Sequence, residues 1–290
     1  MIHLPNNNPY IISFTQGSSG RLVKYMLYNL LTNSSDELDV HPITNSTHLS
    51  DKRYSGYGNE NGMYYDGAAI GNKWSASGKD IWHTIKFDNP LRWPGAPKIF
   101  ATHRFPDFKL IKERLGPDVK FIIITIDPMD LTEVVLNDKL KNYYDVLTGI
   151  SRDTQAWSIL VQELVTRYHR FLGKPYPLTF VKEDIIQIAK SLAMEHLTYF
   201  LSKATDTPCP QDADADVRIG TYLNTPPVTD YPMDQVLYLP YKEIATYNSN
   251  DSVWLSKLEK FTGKKVNAVT KTSYQRYLDG RTQLLKEYRL

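Results

Sequence analysis

Tyr10-Ile11-Ile12-Ser13-Phe14-Thr15-Gln16-Gly17-Ser18-Ser19-Gly20-Arg21 runs from a β-branched and aromatic segment into a loop of small residues. An amphipathic helix follows at once. In Leu22-Val23-Lys24-Tyr25-Met26-Leu27-Tyr28-Asn29-Leu30-Leu31 the apolar positions 22, 23, 26, 27, 30 and 31 share one face. Strand, Gly/Ser loop and helix together point backbone N–H groups and a helix N-terminus at a phosphate. Gly17 and Gly20 can take the positive φ such a loop needs. Ser18 and Ser19 bring hydroxyl donors, and Arg21 a cation for an anionic oxygen. Neither GxxxxGK[ST] nor GxGxxG is present, so an ordinary strand-to-helix turn in an α/β domain is the alternative reading.

Outward from this stretch the chain alternates strands and helices. Pro97 to His103 reads as a second strand, and Asp107 as the N-cap of a short helix with Phe108, Leu110, Ile111 and Leu115, stopped by Gly116-Pro117. Lys120-Phe121-Ile122-Ile123-Ile124-Thr125-Ile126 is the most apolar run and suits a parallel strand covered on both faces. Asp127-Pro128 opens the next helix, Asp as N-cap and Pro at the first helical position. This order argues for an α/β sheet with helices on both faces, whose ligands sit beyond the C-terminal ends of the strands. Gly17 to Arg21, Thr102-His103 and Thr125 to Asp127 then share one rim. Helices are expected over 153–172, with Trp157, Ile159, Leu160, Leu164 and Phe171 as a core stripe, and over 183–203, 251–262 and 270–290. Val236 to Leu239 reads as a late strand.

Two segments read as irregular. Residues 32–97 hold a Gly/Tyr-rich insertion, about 45–95, with a run of glycines and tyrosines from Tyr54 to Gly71, followed by Trp74, Trp82 and Trp93. Long segments of this kind are binding loops, lids or surface. Residues 204–234 are rich in Pro and Asp, and Asp212, Asp214 and Asp216 lack the spacing of a calcium loop.

The composition bounds the class. At 290 residues, 41% hydrophobic and 23% charged, the chain suits a soluble globular protein of one large α/β domain or two small ones, and no break in composition demands two. A net charge of +2 gives no strong nucleic-acid signal. One cysteine, Cys209, excludes an intrachain disulfide and a cysteine zinc cluster. No apolar run reaches the ~20 residues of a membrane helix, and Met1 to Asn6 lacks the marks of a signal peptide. A cytoplasmic location is expected.

Three segments together resemble the sulfotransferase family, which moves a sulfuryl group from 3′-phosphoadenosine 5′-phosphosulfate (PAPS) to a hydroxyl or amine. Phe14 to Leu31 is similar to its 5′-phosphosulfate loop, in which a Ser-Gly pair, here Ser19-Gly20, opens the helix. Lys98-Ile99-Phe100-Ala101-Thr102-His103-Arg104-Phe105-Pro106 resembles the strand ending in Thr-His-x-Pro that carries the family's catalytic base. Phe121 to Asp130 resembles the strand that leads to the 3′-phosphate site, and Ile126 lies 23 positions after His103, close to the family's gap. Tyr238 to Gly263 is a weaker match to a late strand and helix.

The resemblance implies a P-loop-type parallel sheet in a single sulfotransferase-like domain over residues 1–290, with a helical segment at about 153–203. It implies His103 as catalytic base and Gly17, Ser18, Ser19, Gly20, Arg21, Thr125 and Asp127 around PAPS, with no metal. The acceptor is a glycan, a small molecule or a protein tyrosine. The sequence departs from the family where Ser18 stands for the loop lysine, Ile126 for the 3′-phosphate arginine and Val134 near the expected serine. Arg21 or Arg104 is then the cation for the leaving phosphate. A catalytically silent member of the same fold that binds a nucleotide, glycan or protein is one alternative, and a divergent P-loop kinase another.

Overall fold

The computed structural model describes residues 8–15, 17–33, 99–102, 106, 108–147, 154–179, 181–204, 232, 234–245 and 253–288. The Gly/Tyr-rich insertion, Asp107, the Pro/Asp segment with Cys209, and His103-Arg104 lie outside the described residues. The described elements are β1 (Tyr10–Ser13), α1 (Gly20–Thr32), β2 (Ile99–Thr102), α2 (Phe108–Leu115), β3 (Lys120–Thr125), α3 (Leu131–Leu147), α4 (Thr154–Arg167), α5 (Lys182–Ala204), β4 (Val236–Pro240), α6 (Tyr241–Ala245), α7 (Val253–Thr262) and α8 (Ala268–Tyr288). A 3-10 turn, Pro128–Asp130, leads into α3, and a π-helical turn, Tyr168–Leu172, extends α4.

The strands form one parallel sheet in the order β2-β1-β3-β4. Tyr10 pairs with Ile99 on one side and Lys120 on the other, and Thr125 pairs with Pro240. Parallel pairing puts all four C-terminal ends on one edge, as the strand-helix alternation predicts. Both faces of the sheet are covered. Ile12, Ile122 and Ile124 join the main core, while Phe121 on the opposite face meets Phe108 of α2 with ring centroids 4.6 Å apart. Such burial is why β3 is continuously apolar rather than alternating.

Helix α1 runs back beside β1 and β2, and its outer side meets α7 and α8. Leu22, Val23, Met26, Leu27 and Leu30 are buried as the periodicity predicts. Burial contributes about 1.5–3 kcal/mol for each such side chain. Lys24 and Tyr25 are also buried, so the helix is enclosed well beyond its apolar stripe. The amide of Asn29 donates to the Thr270 hydroxyl at 3.2 Å, tying α1 to α8.

Helix α3 packs along α5 and touches α4. Leu164 is buried and Phe171 partly so; the side chains of Trp157, Ile159 and Leu160 lie outside the described residues. In α5, Ile188, Ala189, Leu192 and Ala193 face the core. The α3–α4 seam also holds charge. Glu163 Oε1 accepts from Lys139 Nζ at 2.8 Å and from the Tyr143 hydroxyl at 3.0 Å, and Arg167 Nε lies 2.9 Å from it. Lys139 Nζ is also 3.1 Å from Asp138. Burial, reinforced by the Glu163 carboxylate and opposed by Lys139, pushes the Tyr143 phenol well above its ordinary range. The short helix α6 and the π-helical turn carry no signal in the sequence and are findings of the structure.

Candidate functional site

The order β2-β1-β3-β4 sends the chain from β1 to a neighbour on one side, then across to β3 on the other. Among the described strands the connection reverses between β1 and β3. In open parallel sheets the crevice beyond the strand ends at such a reversal is where ligands bind. Two loops flank it: Phe14 to Ser19 after β1, and Ile126 to Asp130 after β3.

The β1 loop is a tight, specific turn. Ser18 N–H donates to the Thr15 carbonyl at 3.1 Å, and Ser18 Oγ donates to the same oxygen at 2.6 Å. Gly17 lies between them at φ 84°, in the left-handed region that glycine adopts without a side-chain clash. A Cβ at Gly17 would lie 1.9 Å from the Val134 carbonyl oxygen and 3.1 Å from the Asp138 nitrogen, so only glycine lets the loop touch α3. A Cβ at Gly20 would lie 2.0 Å from the Phe14 ring. Ser19 is left-handed at φ 66°, uncommon for a residue with a side chain. Backbone strain of this kind persists where surroundings enforce it.

Ser19 is the N-cap of α1, yet its side chain makes no capping hydrogen bond, and the first turn of α1 holds no acidic residue. The helix ladder begins with Val23 N–H donating to the Ser19 carbonyl at 3.2 Å. The preceding N–H groups of the first turn have no carbonyl a turn earlier to bond. The Ser19 hydroxyl instead pairs with the hydroxyl of Tyr277 on α8. Thr15, also buried, leaves its Oγ1 without a hydrogen-bond partner among the described residues.

The β3 loop is electrostatically the opposite. Asp127 Oδ1 accepts from Met129 N–H at 2.9 Å, and Asp130 and Glu133 add carboxylates in the turns that follow. These groups already answer the positive end of α3, so an anion in the crevice is drawn to α1. The Glu133 carboxylate is itself held: the Tyr241 hydroxyl donates to it at 2.5 Å and accepts from the Asn137 amide at 3.0 Å.

Gly17, Ser18, Ser19 and Gly20 are therefore contiguous at the end of β1, with the Arg21 backbone in the first turn of α1 and its side chain outside the described residues. Ser18 has both its N–H and its hydroxyl engaged with Thr15, and holds the turn rather than facing a ligand. Thr125 ends β3 and Asp127 caps the turn after it. Thr102 ends β2 opposite Ser13; His103 lies outside the described residues. Tyr277 and Tyr241 reach the rim from distant positions, and no spacing marks either. Glu133 and Asn137, one turn apart on α3, are the part a helical repeat does announce. Among the described residues no group of three or more His, Cys, Asp or Glu is placed to hold a metal, and no helix is long and apolar enough to cross a membrane. Neither family models nor curated protein sequences match the chain.

Proposed function

We propose that the chain is a sulfotransferase-like protein that seats the 5′-phosphosulfate of PAPS at the head of α1 and passes its sulfuryl group to a hydroxyl or amine. The observation that carries this reading is the open N-terminus of α1: no side-chain cap, no acidic residue in its first turn, and a position beside the β1/β3 reversal. In-line transfer forms a bond from the acceptor oxygen or nitrogen to sulfur. It breaks the sulfur–oxygen bond to the 5′-phosphate, which leaves as adenosine 3′,5′-bisphosphate with the charge on its terminal oxygen. The N–H groups at the head of α1 and the Arg21 guanidinium receive that charge. His103 takes the acceptor proton, a role suited to imidazole because its ordinary pKa lies near neutrality.

One observation favours a second reading, a silent binder of the same nucleotide. The position that carries the loop lysine in the family is here Ser18, buried and turned inward onto Thr15.

Thermal melting with adenosine 3′,5′-bisphosphate tests the site. A ligand at a hundred times its Kd stabilises by about 2.7 kcal/mol, a rise of roughly 4–5 °C for a domain of this size. No shift at millimolar nucleotide would remove the donor site from both readings. If the nucleotide binds, turnover with PAPS and an acceptor panel separates the two. A transferase needs no magnesium and loses turnover in His103→Ala while keeping nucleotide affinity. A silent binder shows no transfer at all, and transfer that requires magnesium would favour a kinase.

A further inference from the structure

We infer that Tyr277, reaching from the C-terminal helix α8 to Ser19, is a positioning residue for the anion at the head of α1: its hydroxyl donates to Ser19 Oγ and so directs the Ser19 proton toward a phosphate or sulfate oxygen. The inference rests on the nucleotide-site reading above.

A pair of hydroxyls shares one proton between them and leaves the other to point elsewhere. A phenol, with a pKa of about 10, is a stronger proton donor than an aliphatic alcohol, so Tyr277 donates and Ser19 accepts. The Ser19 proton is then free for a third group, and the bond it receives strengthens the one it gives. The remaining lone pair of Ser19 is not taken up by the helix either, because its Oγ accepts no capping bond from α1.

Tyr277 is held in place for this task. It is buried, and its ring stacks on Tyr274 at 6.5 Å and 17°. Tyr274 is itself locked: it accepts from Trp254 Nε1 at 2.8 Å and donates to the Ile244 carbonyl at 2.8 Å. The tie from Asn29 to Thr270 fixes α8 along α1. A separate observation marks the same loop as built for a polar guest. The Oγ1 of Thr15 is buried with no partner among the described residues, although a buried hydroxyl is normally satisfied. Ser18 beside it is fully engaged, which leaves the hydroxyls of Thr15 and Ser19 as side-chain donors among the described residues of the loop.

Calorimetric titration with adenosine 3′,5′-bisphosphate tests the inference on wild type, Ser19→Ala, Tyr277→Phe, the double variant and Tyr274→Phe. Each of the Ser19 and Tyr277 variants should weaken binding about tenfold, and the double variant should bind no worse than the weaker single, since both remove one shared interaction. Tyr274→Phe breaks a buried bond in the same wall without touching Ser19. It should lower the melting temperature and leave Kd within twofold. Wild-type affinity in Tyr277→Phe, additive losses in the double variant, or an equal loss in Tyr274→Phe would each overturn the role of Tyr277 while leaving the site itself standing. Should Tyr277→Phe fail to fold, Ser19→Ala reads the same interaction from the other side, and its binding like wild type overturns the inference. No binding by wild type removes the site and this inference together.

Discussion

Replacing Gly17 by alanine probes the contact on which the whole rim depends. The residue sits at φ 84°, where a side chain costs about 1–2 kcal/mol. Its Cβ would stand 1.9 Å from the Val134 carbonyl oxygen, and real Cβ contacts stay beyond 3.0 Å, so loop and α3 must part by more than an ångström. Overpacking of this kind costs about 1–3 kcal/mol. The two together predict a loss of about 2–5 kcal/mol, or roughly 3–8 °C in Tm for a chain of this length. Gly116→Ala supplies the comparison. That residue has a φ of 96°, but an added Cβ meets nothing within 4 Å, so only the backbone cost of about 1–2 kcal/mol applies. Urea and thermal melts of both variants, followed by circular dichroism, separate the two contributions. A Gly17→Ala loss no larger than that of Gly116→Ala would refute the close approach of loop and helix.

Lys139→Met leaves the Glu163 and Asp138 carboxylates without the ammonium between them; Arg167 compensates in part, and a loss of about 1–3 kcal/mol by urea melt is expected. Burial alone would raise the Glu259 carboxyl, but hydrogen bonds from Lys265 Nζ and Val266 N–H overcome it and hold it below its ordinary value of 4.5. A lowered folded pKa stabilises above the unfolded value and loses that gain as pH falls through the folded one. Glu259→Gln should therefore be less stable than wild type at pH 7, and the difference should shrink as pH falls below 4.5. At the other extreme, burial pushes the Tyr10 and Tyr168 phenols up to about 12 from 10.0. An unfolded chain ionises them first, so stability present below pH 10 should fall steadily between pH 10 and 12. Phenolate absorbance should rise together with loss of the circular dichroism signal; titration of all tyrosines in a chain still folded at pH 11 would contradict the burial.

What the sequence announces here is what local chemistry controls. The isoleucine run of β3, the Asp127-Pro128 start and the Gly116 stop each act through a few neighbouring residues, and each is where the sequence places it. The stripe of α1 is legible for the same reason. The burial of Lys24 and Tyr25 is not, because α7 and α8, which close over that helix, lie more than two hundred positions away. The candidate site divides in the same manner. Gly17, Ser19 and Gly20 stand out as a small-residue turn before a helix, whereas nothing near Tyr277 or Tyr241 distinguishes them among 20 tyrosines. Ser18 shows the limit of reading residue type alone: its hydroxyl is a donor, but the turn itself consumes it.

The strand order also bears on how the chain is made. One edge of β3 pairs with β1, but its other edge waits for β4, and from Thr125 to Pro240 is 115 positions. At ribosomal speeds of about 5–20 residues per second that interval is roughly 6–23 s. Through it, Phe121 to Thr125 keeps one edge open in a proline-free and uncharged run, the composition that recruits other chains by edge-to-edge pairing. Synthesis of α3, α4 and α5 fills those seconds, so that edge of β3 stays open until long after the strand itself has left the ribosome.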